Sequence, residues 1–64
     1  MSAPTTGETR RLNRPTFLHN GIFVMQGIQV TVKGQDAEGL FQVEYIDREG
    51  HPHLLDGVRA DELE

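Results

Sequence analysis

Asn20-Gly21, Asp47-Arg48-Glu49-Gly50 and Asp56-Gly57 are the stretches that decide the fold. Thr16 to His19 and Ile22 to Met25 flank the first. Phe41 to Ile46 precedes the second, and His51 to Leu55 lies between the second and the third. Asn-Gly and Asp-Gly supply the positive φ angles of tight turns, and between short apolar or alternating runs they are a strong hairpin signal. Three such signals within residues 20–57 predict a small, mostly antiparallel β protein.

The segments between the turns read as strands. Ile28, Val30 and Val32 alternate with Gln29, Thr31 and Lys33. Phe41, Val43 and Tyr45 alternate with Gln42 and Glu44. That period of two gives each strand one dry and one wet face. Gly27, inside an apolar run, predicts a bend. Gly34 to Gly39 is a polar loop. Asp47 to Gly50 suits a type I turn closed by a left-handed glycine. Pro52 places His51–Leu55 at an edge or marks the strand's first residue. Asp56-Gly57 is expected to turn again, with Val58 opening a last strand and Ala60 to Leu63 forming one helical turn.

Curling these strands together predicts an all-β, strongly bent, five- or six-stranded antiparallel barrel, because closure protects edges. The expected core is Phe17, Ile22, Val24, Ile28, Val30, Val32, Phe41, Val43, Tyr45, Leu54, Val58 and Leu63. Residues 1–13 are rich in Ser, Thr, Pro and Gly and show no apolar period, so they read as a disordered basic tail before a domain at 14–64.

Sixty-four residues make one domain at most, and so short a chain is marginal on its own. There is no cysteine, which fits a reducing compartment. No apolar run reaches the roughly 20 residues of a membrane span. The expectation is a soluble, cytoplasmic bacterial or phage protein. The net charge of −4 hides an asymmetry. Arg10, Arg11 and Arg14 against Glu8 leave residues 1–20 at +2, while residues 21–64 carry −6. An acidic body argues against a duplex-DNA binder, since phosphate contacts supply most non-specific affinity.

Catalytic signatures are missing. The sequence has no phosphate loop, no GxGxxG and no HExxH, and its one serine is Ser2. Asp47 with Glu49, and Asp61 with Glu62, read as solvated turn and terminal residues. No enzyme and no cofactor are expected. His51-Pro52-His53 has a metal-like i, i+2 spacing, with His19 or Asp47 as third ligand, but reads as exposed edge-strand histidines, with no metal expected.

Two binding surfaces remain. Leu18, Phe23, Met25, Ile46 and Leu55 fall on the side of their strands away from the expected core, and suggest a protein-binding patch. Arg10, Arg11 and Arg14 with Phe41 and Tyr45 would instead suit single-stranded nucleic acid, as a phosphate-binding arm with stacking platforms.

Leu18-His19-Asn20-Gly21-Ile22, Gln26-Gly27 and Val32-Lys33-Gly34-Gln35-Asp36 together resemble the first motif of Sm-like RNA-binding proteins. That resemblance implies a bent barrel, ring oligomers and single-stranded RNA as ligand. The C-terminal half, a hairpin followed by Val58-Arg59-Ala60-Asp61-Glu62-Leu63-Glu64, is more similar to SH3-like modules, many of which end strand, short turn, strand. The expected function is that of a small non-enzymatic binding module, a protein-interaction or regulatory adaptor that binds another protein or itself. Single-stranded RNA or DNA binding of the Sm-like kind is the alternative.

Overall fold

In the computed structural model, which describes residues 4–64, the turn signals do most of what the sequence implies. Strand β1 is Thr9–Arg11, β2 Phe17–His19, β3 Ile22–Val24, β4 Gln29–Gln35, β5 Phe41–Ile46 and β6 Pro52–Val58. A single 3-10 turn follows at Ala60–Glu62. All pairings are antiparallel, in a four-stranded sheet ordered β1-β4-β5-β6 and a two-stranded sheet of β2 and β3.

The expected closed barrel is therefore not what forms. The six strands divide four and two, and β1 and β6 are the edges of the larger sheet. The C-terminus does return to β1. Arg11 and Glu64 exchange both backbone hydrogen bonds, at 3.0 and 2.8 Å, and Leu12 bridges Leu63.

That return corrects the reading of residues 1–13 as a disordered tail. Thr9–Arg11 lies antiparallel to Gln29–Thr31, and Leu12 is completely buried. A strand of Thr and two Arg shows no apolar period, because it is held by backbone pairing with β4 and, at Arg11, with Glu64, while Thr9 and Arg11 stay exposed. Met1, Ser2 and Ala3 lie outside the described residues.

The turn at Asp47–Gly50 forms as expected. Gly50 N–H donates to the Asp47 carbonyl at 3.0 Å, and Gly50 has a φ of 86°. The Asp47 carboxylate accepts the Glu49 and His51 amides at 2.9 and 2.8 Å. Asp36-Ala37-Glu38-Gly39 repeats this construction. Gly39 N–H reaches the Asp36 carbonyl at 3.1 Å, and the Asp36 carboxylate accepts the Glu38 and Leu40 amides at 2.8 and 3.0 Å. Asp-x-Glu-Gly thus builds both turns of the β4-β5-β6 meander.

Asp56-Gly57 is not a turn. Phe41 pairs with Val58 and Val43 with Leu55, so β6 carries one residue more than β5 over that interval. Gly57, with a φ of 71°, sits in this β-bulge and the strand runs through it. The bulge puts both Leu55 and Val58 inside. Leu54, expected in the core, is outside instead. A second bulge lies in β4 between Val32 and Gly34.

The core consists of Leu12, Val24, Val30, Val32, Phe41, Val43, Tyr45, Leu55, Val58 and Leu63, with Phe17 and Ile28 packed against it. Ile22 is half-buried. No buried side-chain nitrogen or oxygen among the described residues lacks a partner.

Candidate protein-interaction face

The β2–β3 hairpin is shaped by its turn. Asn20 and Gly21 both take positive φ, 51° and 76°, as a two-residue hairpin turn of matching twist requires. Phe17 then faces Val24, Leu18 faces Phe23, and His19 faces Ile22. Alternation sends Phe17 and Val24 inward. It leaves Leu18 and Phe23 as an outward cross-strand pair, 62% and 71% exposed. Met25 continues that side at 60% and Ile46, at the end of β5, stands out at 52%.

Phe23, Met25 and Ile46 border a groove of about 570 Å³ between β3 and the Asp47–Gly50 turn. Ile28 and Tyr45 contribute to its lining, and Asp47, Arg48 and Glu49 supply its polar side. One sequence property coincides with this geometry. Residues 15–32 hold no Asp, Glu, Lys or Arg, in a chain of which 25% is charged. Depletion of charge around exposed aromatic and Met side chains is the composition of an interface core.

A polar cluster joins the hairpin to the Asp47 turn. His19 Nδ1 lies 2.6 Å from the Tyr45 hydroxyl, and the Tyr45 ring stacks on His53 with centroids 5.2 Å apart. His53 Nε2 lies 2.8 Å from the Asp47 carboxylate. The His53 hydrogen bond, then the His51 and Glu49 amides, draw the Asp47 carboxyl down to about 2. Burial, then the nearby Asp47 charge, raises the Tyr45 phenol. At neutral pH Asp47 is therefore an ionised acceptor and Tyr45 a neutral phenol. The cluster ties the hairpin to the sheet.

Of the residues expected to bind protein, Leu18, Phe23, Met25 and Ile46 are on the surface. Leu55 is not: it is 6% exposed and packs in the core, because the Gly57 bulge reverses the expected facing of β6. Leu54 is the exposed leucine of that strand, outside the groove lining.

The nucleic-acid set does not assemble. Phe41 and Tyr45 are buried, so neither offers a ring face to a base. Arg10 pairs with Glu8 at 3.0 Å, and the Thr5 amide, then the Arg10 guanidinium, hold the Glu8 carboxyl low. Arg14 donates twice to Glu62, at 2.8 and 2.9 Å, and lies 5.0 Å above the centre of the Phe17 ring. Arg14 is thus a clasp between the end of β1 and the 3-10 turn. The Arg14 hydrogen bonds, aided by the Arg59 amide, lower the Glu62 carboxyl to about 2 against a smaller cost of burial. Arg11 alone of the three has no side-chain partner among the described residues.

His51 and His53 both approach Asp47, at 3.8 and 2.8 Å, yet no group of three His, Asp or Glu side chains among the described residues is placed to hold an ion. No helix among the described residues is long and apolar enough to cross a membrane. In comparisons with known proteins, no family model, no curated protein and no solved structure matches this chain.

The sequence groups His51 and His53 with His19 or Asp47 as metal ligands; the structure instead joins His19, His53 and Asp47 through Tyr45, by hydrogen bonds and ring stacking. The available signal for this cluster was that His51 and His53 share a strand face, which brings them toward the Asp47 turn once β5 and β6 are paired. The wall formed by Asp47, Arg48 and Glu49 carried no signal beyond its turn chemistry.

Proposed function

We propose that this chain is a small non-enzymatic binding module of SH3-like build, an adaptor whose ligand is a protein. The order of elements supports the SH3-like reading. A first strand, an excursion through a hairpin, a three-stranded meander and a 3-10 turn lead to a terminal segment that pairs back with the first strand.

The observation that carries the function is the uncharged, exposed set of Leu18, Phe23, Met25 and Ile46 beside the β3 groove. Four large apolar side chains held out of a small core, on one side of an otherwise charged chain, fit a surface that is buried on association. The nucleic-acid alternative finds less support, since two of its arginines are in ion pairs and its aromatic residues are buried.

The test is affinity capture from a lysate with wild type, Ile46→Asp and Arg11→Ala, with bound protein identified and bound RNA quantified. The reading expects an identified protein, a second copy included, that Ile46→Asp loses and Arg11→Ala keeps. Equal recovery by Ile46→Asp, or RNA that is lost with Arg11→Ala and with salt, overturns it.

A further inference from the structure

One wall of the groove is a strand, β3, whose outer edge pairs with no other strand among the described residues. In a hairpin with a two-residue turn, the residues flanking the turn form the hydrogen-bonded pair, here His19 and Ile22. Leu18 and Phe23, one step further, form a non-hydrogen-bonded pair. Their amides and carbonyls point away from the hairpin. On β3 that places the Phe23 N–H and C=O on the outer edge, and among the described residues β3 pairs with no strand but β2.

This edge lacks the usual protection. Ile22–Val24 contains no proline, no charge and no bulge. The edges of the larger sheet differ. Pro52 and the Gly57 bulge interrupt β6, and the returning C-terminus covers β1.

Three facts identify the occupant. Phe23 is the middle residue of a three-residue strand, so an antiparallel copy about a two-fold axis at Phe23 satisfies both outward groups reciprocally. Each chain carries −4, and the hairpin lies in residues 15–32, which hold no Asp, Glu, Lys or Arg. Two hairpins therefore meet without opposing carboxylates, while Asp47 and Glu49 stand with Arg48 on the far wall of the groove. An uncharged pairing segment also carries no electrostatic code for a foreign partner. We infer that β3 is a dimerisation edge: two copies pair antiparallel through Ile22–Val24, joining two hairpins into one four-stranded sheet with Leu18, Phe23 and Met25 of both packed together.

This inference rests on the proposed interaction face and narrows it to self-association. It is tested by sedimentation of the full chain from micromolar to millimolar concentration. Wild type is expected to approach twice its 7.2 kDa mass. Phe23→Asp and Phe23→Lys are each expected to weaken the dimer by on the order of a hundredfold. Mixing the two should restore a mixed dimer, because the axis sets residue 23 opposite itself. Phe23 is exposed, and an unchanged circular dichroism spectrum confirms that the variants fold. Slower amide exchange at Phe23 with rising concentration is the mark of strand pairing.

A wild type that stays monomeric throughout overturns the inference. A dimer indifferent to both substitutions, or a mixture that stays monomeric, does the same. A monomer that still captures a foreign protein through Ile46 overturns self-pairing and leaves the proposed function standing.

Discussion

In β5 the dry face is Phe41, Val43 and Tyr45, and the other face begins with Gln42 and Glu44. In the β2–β3 hairpin the dry face is Phe17 and Val24, but the other face is Leu18 and Phe23. The two regions obey the same alternation and end with opposite surfaces. The sheet meets water mainly through polar and charged side chains, with Ile46 and Leu54 as exceptions, and side-chain clasps such as Arg14–Glu62 tie its ends. The hairpin has neither charge nor clasp on its outer side. The buried contacts are concentrated in one region and the exposed apolar surface in the other.

The sharpest way to break this comparison is at β1. Leu12→Ala removes a completely buried side chain and should cost about 2–5 kcal/mol. A chain of this size has only about 3–10 kcal/mol in total. Chemical denaturation should show a variant partly or wholly unfolded. Leu18→Ala, by contrast, should stay within about 0.5 kcal/mol of wild type.

The next largest effect is at the clasp. Arg14→Ala leaves the half-buried Glu62 without its bidentate partner and should cost about 1–3 kcal/mol. The pH dependence has a definite sign. Folding lowers the Glu62 carboxyl from 4.5 to about 2, and the Asp47 carboxyl from 3.8 to about 2. Their contribution is complete above the unfolded values and is lost as pH falls from there toward 2. Acid titration of the melting temperature should therefore fall across that window, and less steeply in Arg14→Ala.

Smaller still is the effect of a turn glycine. Gly50, with a φ of 86°, should lose about 1 kcal/mol on replacement by Ala. Gly34, without positive φ and with open space around its Cα, should change by less than about 0.5 kcal/mol. Gly39 is no milder than Gly50, since its φ is 84° and its turn is built the same way. Urea midpoints of the three variants check the order.

Legibility followed local chemistry. Asn20-Gly21 and Asp47-Arg48-Glu49-Gly50 each demand particular backbone angles, so both turns could be read directly. The period of Phe41 to Tyr45 gave the facing of β5. Leu12 could not be read, because its burial depends on Leu63, fifty-one residues away, through a bridge that no local pattern announces. The facing of Leu54 and Leu55 failed for another reason. Asp-Gly serves a turn and a bulge equally well, and the choice depends on whether β5 continues alongside. Four of the five expected protein-binding residues were legible as surface because strand alternation alone exposes them. The groove was not, since it arises from how the hairpin lies against the Asp47 turn.

The most direct test of the division between a stabilising sheet and a binding hairpin is the melting temperature of wild type and Phe23→Asp as a function of chain concentration. Pairing through the native state raises the melting temperature with concentration. The account predicts a rise for wild type, no rise for Phe23→Asp, and convergence of the two on dilution, because Phe23 adds nothing to the single folded chain. A wild-type melting temperature independent of concentration, or a Phe23→Asp chain that melts well below wild type on dilution, would contradict it.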